Sequence, residues 1–211
     1  FTPLEAGVRL LPQIGLAALI APFAARMMSR HGVAPMLVIA FAAEAGGLVG
    51  LSRIDESTTY AFLVPFQVLI AIAVAIVPTA SLTIVVSSAS RERSGLLSGV
   101  QAAFLNFGNV FSIAILGAVA ASTVAGRFTA ELLERGITTV VEADASDLAQ
   151  GLVPSVEGFD VETQEAVDTA ALAAFTSSMG TALLIGVAAA AGGVVLALLY
   201  GRHVRSGQQS D

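Results

Sequence analysis

Five apolar stretches, at residues 8–28, 34–51, 60–86, 97–124 and 170–200, are separated by polar joints. Each is long enough as a helix to cross a hydrocarbon core about 30 Å thick, which takes roughly 20 residues. Lipid offers the backbone no hydrogen-bond partners, so only helices or a closed barrel can span it. Unbroken apolar runs lack the alternation that a barrel needs. The expected fold is therefore all-α: a polytopic membrane helical bundle of five transmembrane helices, with the lipid bilayer as its surroundings.

Composition agrees, with 55% hydrophobic residues, 12% charged residues and a mean hydropathy of +0.83; soluble domains carry about 25% charged residues. The net charge of −6 is an average over acids gathered mostly in one loop. All ten basic residues are arginines, most of them single at helix ends, with no stripe to track a phosphate backbone. Nucleic acid is not an expected partner. The absence of cysteine removes disulfides, thiolate nucleophiles and thiolate metal sites. The chain opens on Phe1 with no basic segment ahead of a short apolar one, and a piece of a longer protein is expected.

Arginine placement orients the spans, because short joints rich in Arg stay cytoplasmic. Arg26, Arg30 and His31 follow the first span, Arg91 and Arg93 the third, and Arg202, His203 and Arg205 the fifth. The joint with Arg53 also holds Asp55 and Glu56, and residues 126–170 hold ten acids against Arg127 and Arg135. The expected order is thus four transmembrane helices in 1–125, an acidic extracellular or periplasmic loop at 126–169, the last helix at 170–200 and a cytoplasmic tail at 201–211. The chain start lies outside and its C-terminus inside, in a multi-pass plasma-membrane protein.

Local signals refine this layout. Thr2-Pro3-Leu4-Glu5 has capping-box spacing with Pro at the first helical position. Pro12 and Pro22 each remove a backbone bond from the first span, which marks either a cavity-lining helix or a tolerated distortion. Gly46-x-x-x-Gly50, Gly95-x-x-x-Gly99, Gly108-x-x-x-Ser112 and Gly117-x-x-x-Ala121 predict close helix approaches. A separate surface helix is expected over 129–135, and Asp160 is placed to cap another that runs through Glu162 and Glu165 into the last span.

The chain is poor in reactive groups. His31 and His203 are its only histidines, both at span ends, and neither belongs to a metal-ligand motif. A serine triad needs a histidine beside its serine, and no phosphate-binding glycine loop follows a strand. No catalytic residue, metal or cofactor is expected, and the chain is not read as an enzyme. Polar residues within the spans are the candidates that remain. Glu44 is the only acid at midspan, where an ionised carboxylate is costly and faces water or a partner. At 100° per residue, Gln101, Gly108 and Ser112 share one stripe of the fourth span with Asn109 at its edge, while Asn106 lies nearly opposite. Glu44, Gln101, Asn109 and Ser112 form the candidate proton and substrate pathway. Interhelical hydrogen bonding is the structural reading of the same residues.

The order of landmarks resembles the C-terminal part of the major facilitator superfamily, in its fourteen-span drug:proton antiporter branch. Thr2-Pro3-Leu4-Glu5-Ala6-Gly7-Val8-Arg9-Leu10-Leu11-Pro12 is similar to the branch's lead-in to the second span of its C-terminal domain. Pro22-Phe23-Ala24-Ala25-Arg26-Met27-Met28-Ser29-Arg30-His31-Gly32 resembles the cytoplasmic repeat of the superfamily's signature loop. Arg26, Arg30 and Gly32 match it and form a candidate cytoplasmic gating loop, whereas Ala25 and Ser29 replace the usual glycine and aspartate. Arg91-Glu92-Arg93-Ser94-Gly95-Leu96-Leu97-Ser98-Gly99-Val100 resembles the approach to the penultimate span. Asn106-Phe107-Gly108-Asn109-Val110-Phe111-Ser112-Ile113-Ala114-Ile115-Leu116-Gly117 continues the likeness, with Leu105 where many members have arginine.

The resemblance implies that the five helices are the last five of the transporter, and that the missing N-terminal half of the same transporter is a partner. It also implies proton-coupled efflux of hydrophobic or cationic drugs by alternating access, with protons and a small-molecule substrate as ligands. Two alternatives stay open: a major-facilitator transporter of a small metabolite, and a non-transporting membrane scaffold that binds through its acidic loop.

Overall fold

The computed structural model describes residues 3–54, 58–87, 93–137, 148 and 161–207. Among these it contains five helices: α1 (Pro3–His31), α2 (Val33–Leu51), α3 (Tyr60–Ser87), α4 (Ser94–Glu134) and α5 (Val161–Gly207). All five are long and apolar enough to cross a membrane. Two packing units partition the chain. One takes Phe1–Leu48, Tyr60–Val110 and Val187–Asp211, the other Val49–Thr59 and Phe111–Gly186.

In the first unit, small side chains let α1 and α3 come together. Ala17 of α1 packs with Ala71 and Ala75 of α3. Nearer the α1 C-terminus, Ala24 and Met28 join Met36 and Ala40 of α2 and Ile76 and Ala80 of α3. In lipid such contacts are held by close dispersion packing rather than by exclusion of water. Tyr60 adds a polar tie, donating its hydroxyl to the Arg9 carbonyl at 3.0 Å. The Arg9 guanidinium lies 5.5 Å from the centre of the same ring.

Glycines set the closest approaches of α2. A methyl group at Gly47 would fall 2.7 Å from Ile70 Cγ1 and 3.0 Å from the Phe66 carbonyl oxygen of α3. One at Gly193 of α5 would fall 2.7 Å from the Phe41 ring. The expected Gly46 contact is looser, with Leu69 Cδ1 at 3.5 Å. The fourth span departs from expectation: nothing lies within 4 Å of a Cβ placed at Gly95, Gly99, Gly108 or Gly117. Those glycines face no neighbour among the described residues, because spacing marks a small face without saying whether a helix covers it.

In the second unit, α4 continues well past the apolar span. The separate helix expected over 129–135 is instead the end of α4, because Ala120, Val124, Phe128 and Leu132 recur every four residues and are all buried. They pack against Val167, Ala170, Ala171 and Ala174 of α5, with Leu148 in the same cluster. Gly136 then stops the helix with a φ of 77°, which costs glycine nothing. The Ile137 amide donates to the Leu132 carbonyl at 2.9 Å, and the Ile137 side chain packs on that cluster. At the other end α5 begins at Val161, directly after Asp160, whose own placement lies outside the described residues. Arg127 donates to Thr181 Oγ1 at 2.6 Å, and the Thr181 hydroxyl donates in turn to the Ser177 carbonyl at 3.2 Å.

Candidate functional site

The polar residues of the spans separate into different surroundings. Glu44 is half-buried on α2, three residues before Gly47, so its Cβ is about 60° around the helix from the face that α3 approaches. Among the described residues it forms no hydrogen bond or ion pair. The interhelical hydrogen bond considered for it is therefore not made within these helices.

Gln101 lines an apolar cavity of about 330 Å³ where the end of α3 meets the start of α4. Ser81 and Val85 form one side, and Leu97, Gln101, Phe104 and Leu105 the other. Ser81 donates its hydroxyl to the Val77 carbonyl, so Gln101 brings the uncommitted polar group to this wall. A single amide in an apolar cavity of this size suits a compound with a large hydrophobic body and one polar point. Asn109 and Ser112 share the Gln101 side of the helix, two and three turns on, but do not line the cavity and are exposed. Glu44 is not part of that wall either.

Along the same helix Phe104, Phe107 and Phe111 stand 72%, 67% and 56% exposed.

The arginine-rich joint is a single-residue turn. Gly32, with a φ of 85°, ends α1 by donating its amide to the Met28 carbonyl at 2.9 Å, and α2 starts at the next residue. Ser29 donates its hydroxyl to the Arg26 carbonyl at 2.7 Å and so binds its own helix end. Arg26 and Arg30 are exposed. Beside this turn, α2 and the end of α5 enclose a second cavity, of about 490 Å³, with His31 and Arg202 at its edge. Sequence reasoning did not find it, because its two walls lie more than 150 residues apart and neither carries a motif. The ties of Arg9 to Tyr60 and Arg127 to Thr181, 51 and 54 residues apart in sequence, were missed because no motif marks them. Among the described residues no group of three His, Asp or Glu is placed to hold a metal.

Over 201 residues, 93% of its length, the chain is 27% identical to the tetracenomycin C resistance and export protein of Streptomyces glaucescens. It is a multi-pass membrane protein. The membrane chain spans 37% of the length of that relative. No family model matches it, and no solved structure does.

Proposed function

We propose that these five helices are the C-terminal portion of a major facilitator transporter of the fourteen-span drug:proton antiporter branch. It exports hydrophobic or cationic small molecules by alternating access in the plasma membrane. The observation that carries the reading is the likeness, along nearly the whole chain, to a protein named for resistance and export. Five membrane-length helices over little more than a third of that relative's length fit a portion of a larger transporter.

In this reading the helices supply one wall of a midplane site and the upstream half supplies the other. The Gln101 cavity with Phe104 offers an apolar surface and one amide for the substrate body. Glu44, without a hydrogen bond or ion pair among the described residues, is the group offered to a proton or to a cationic substrate. Asn109 and Ser112 continue the path along α4. Arg26, Arg30 and Gly32 form the cytoplasmic turn, where Gly32 fixes the angle between α1 and α2 while the arginines meet water and headgroups.

The test is efflux by the complete protein in everted vesicles with an imposed proton gradient. Gln101→Leu is expected to change which compounds are exported while membrane abundance stays normal. Identical substrate ranges for parent and Gln101→Leu would remove that cavity from the pathway.

A further inference from the structure

The cavity beside the α1–α2 turn has two chemistries. Val33, Ala34, Pro35 and Val38 of α2 and Leu198 of α5 give it an apolar wall. His31 and Arg202 line its edge, both exposed, with Tyr200 beside them. Arg30 and His203 adjoin those two residues in sequence. No acidic residue occurs between Glu5 and Glu44 or between Asp168 and Asp211, so the helix segments that build the cavity contribute only positive charge.

The geometry of the opening is fixed by two glycines. Gly32 turns the chain at the edge, and a methyl group at Gly201 would fall 2.9 Å from Ala34 Cβ, which sets how closely α5 and α2 approach. On the outer surface of α5, Leu198 and Leu199 are 52% and 54% exposed, so the apolar wall is continuous with the lipid-facing side of the helix.

We propose that this cavity binds an anionic membrane phospholipid. Its phosphate meets Arg202 and His31, and its glycerol and first acyl carbons lie along Val38, Pro35 and Leu198. The charge complementarity selects the ligand. A zwitterionic lipid has the same carbons but brings its own cation to a positive edge, and free phosphate uses the edge but leaves the apolar wall empty. Basic pockets between membrane helices are suited to anionic headgroups. Tyr200 is the amphipathic side chain that favours the boundary between acyl chains and water. The inference rests on the five membrane helices and not on the proposed export, so either can fail without the other.

The experiment is native mass spectrometry of the complete protein, purified from membranes and offered phosphatidylglycerol or phosphatidylcholine. Phosphatidylglycerol is expected to be retained preferentially, and Arg202→Gln to weaken its retention about fivefold, the worth of one cation near an anionic lipid surface. Val38→Trp, which fills the apolar wall without altering charge, is expected to weaken it as well. Arg53→Gln, at a different joint, is expected to leave it unchanged. Equal retention of the two lipids, or equal loss from Arg53→Gln and Arg202→Gln, would overturn the proposal. Displacement of the bound lipid by millimolar inorganic phosphate would also overturn it, as the site would then be one for a free anion.

Discussion

A methyl group added at Gly47 meets Ile70 Cγ1 at 2.7 Å and the Phe66 carbonyl oxygen at 3.0 Å, and a carbonyl on a helix cannot step aside as a side chain can. Gly47→Ala is therefore expected to cost about 1–3 kcal/mol, the usual penalty for overpacking, read as a lower melting temperature of the detergent-solubilised protein. Gly117→Ala is the counterpart, with nothing within 4 Å, and is expected to leave melting unchanged or raise it by up to about 1 kcal/mol of helix propensity. Equal melting of the two variants would contradict the packing of α2 on α3. Gly32 differs again, because its φ of 85° and not its space excludes side chains. Gly32→Val is expected to cost about 1–2 kcal/mol, whereas Gly32→Asn keeps most of the stability. In the sequence, the pairs 46/50, 95/99, 108/112 and 117/121 look alike. Spacing fixes the face of a helix that is small, but the direction of that face depends on neighbours far along the chain. The tight glycine of α2 accordingly fell one residue from the expected pair, and Gly193 of α5, equally close to its neighbour, lay in none of the pairs.

At the level of elements, length and hydropathy made the five helices legible, since lipid leaves the backbone few alternatives. The end of α4 and the start of α5 were harder to read, because hydropathy falls at Gly126 and Arg127 while the four-residue repeat of Val124, Phe128 and Leu132 carries on. That extension gives an expectation of its own. Phe128 is buried against α5, so Phe128→Ala is expected to cost about 3–5 kcal/mol in thermal unfolding, well above the cost of an exposed site such as Phe107→Ala. The same helices carry the proposed orientation, which rests on arginine-rich joints. Ser29→Cys at the α1 end and Glu162→Cys at the start of α5 are expected to react with an impermeant thiol reagent from opposite sides of the membrane. The chain has no native cysteine to obscure the result. Labelling of both from one side would reverse part of the topology.

For the molecule as a whole, the sequence pointed to the chemistry of the candidate residues but not to their association. Gln101 was legible as a polar residue in an apolar span, and the structure gives it a cavity. Glu44, Asn109 and Ser112 were grouped with it by helical angle and midspan position. Yet the described helices do not bring them to that wall, because a helical wheel carries no information about which neighbour faces each stripe. In the proposed transporter the remaining groups face the upstream half, so these helices expressed alone are expected to show no coupled flux. Glu44 is the residue on which the proton-coupled account turns. Glu44→Gln keeps size and hydrogen-bonding capacity but cannot titrate. The most direct measurement is therefore efflux of a panel of cationic and neutral hydrophobic compounds by the complete protein and its Glu44→Gln variant, across a pH series and with a protonophore added. The account predicts that efflux by the parent collapses with the protonophore, and that the variant, at normal abundance, loses cationic substrates or the parent's pH dependence. Export that survives the protonophore and is identical in parent and variant at every pH would contradict it.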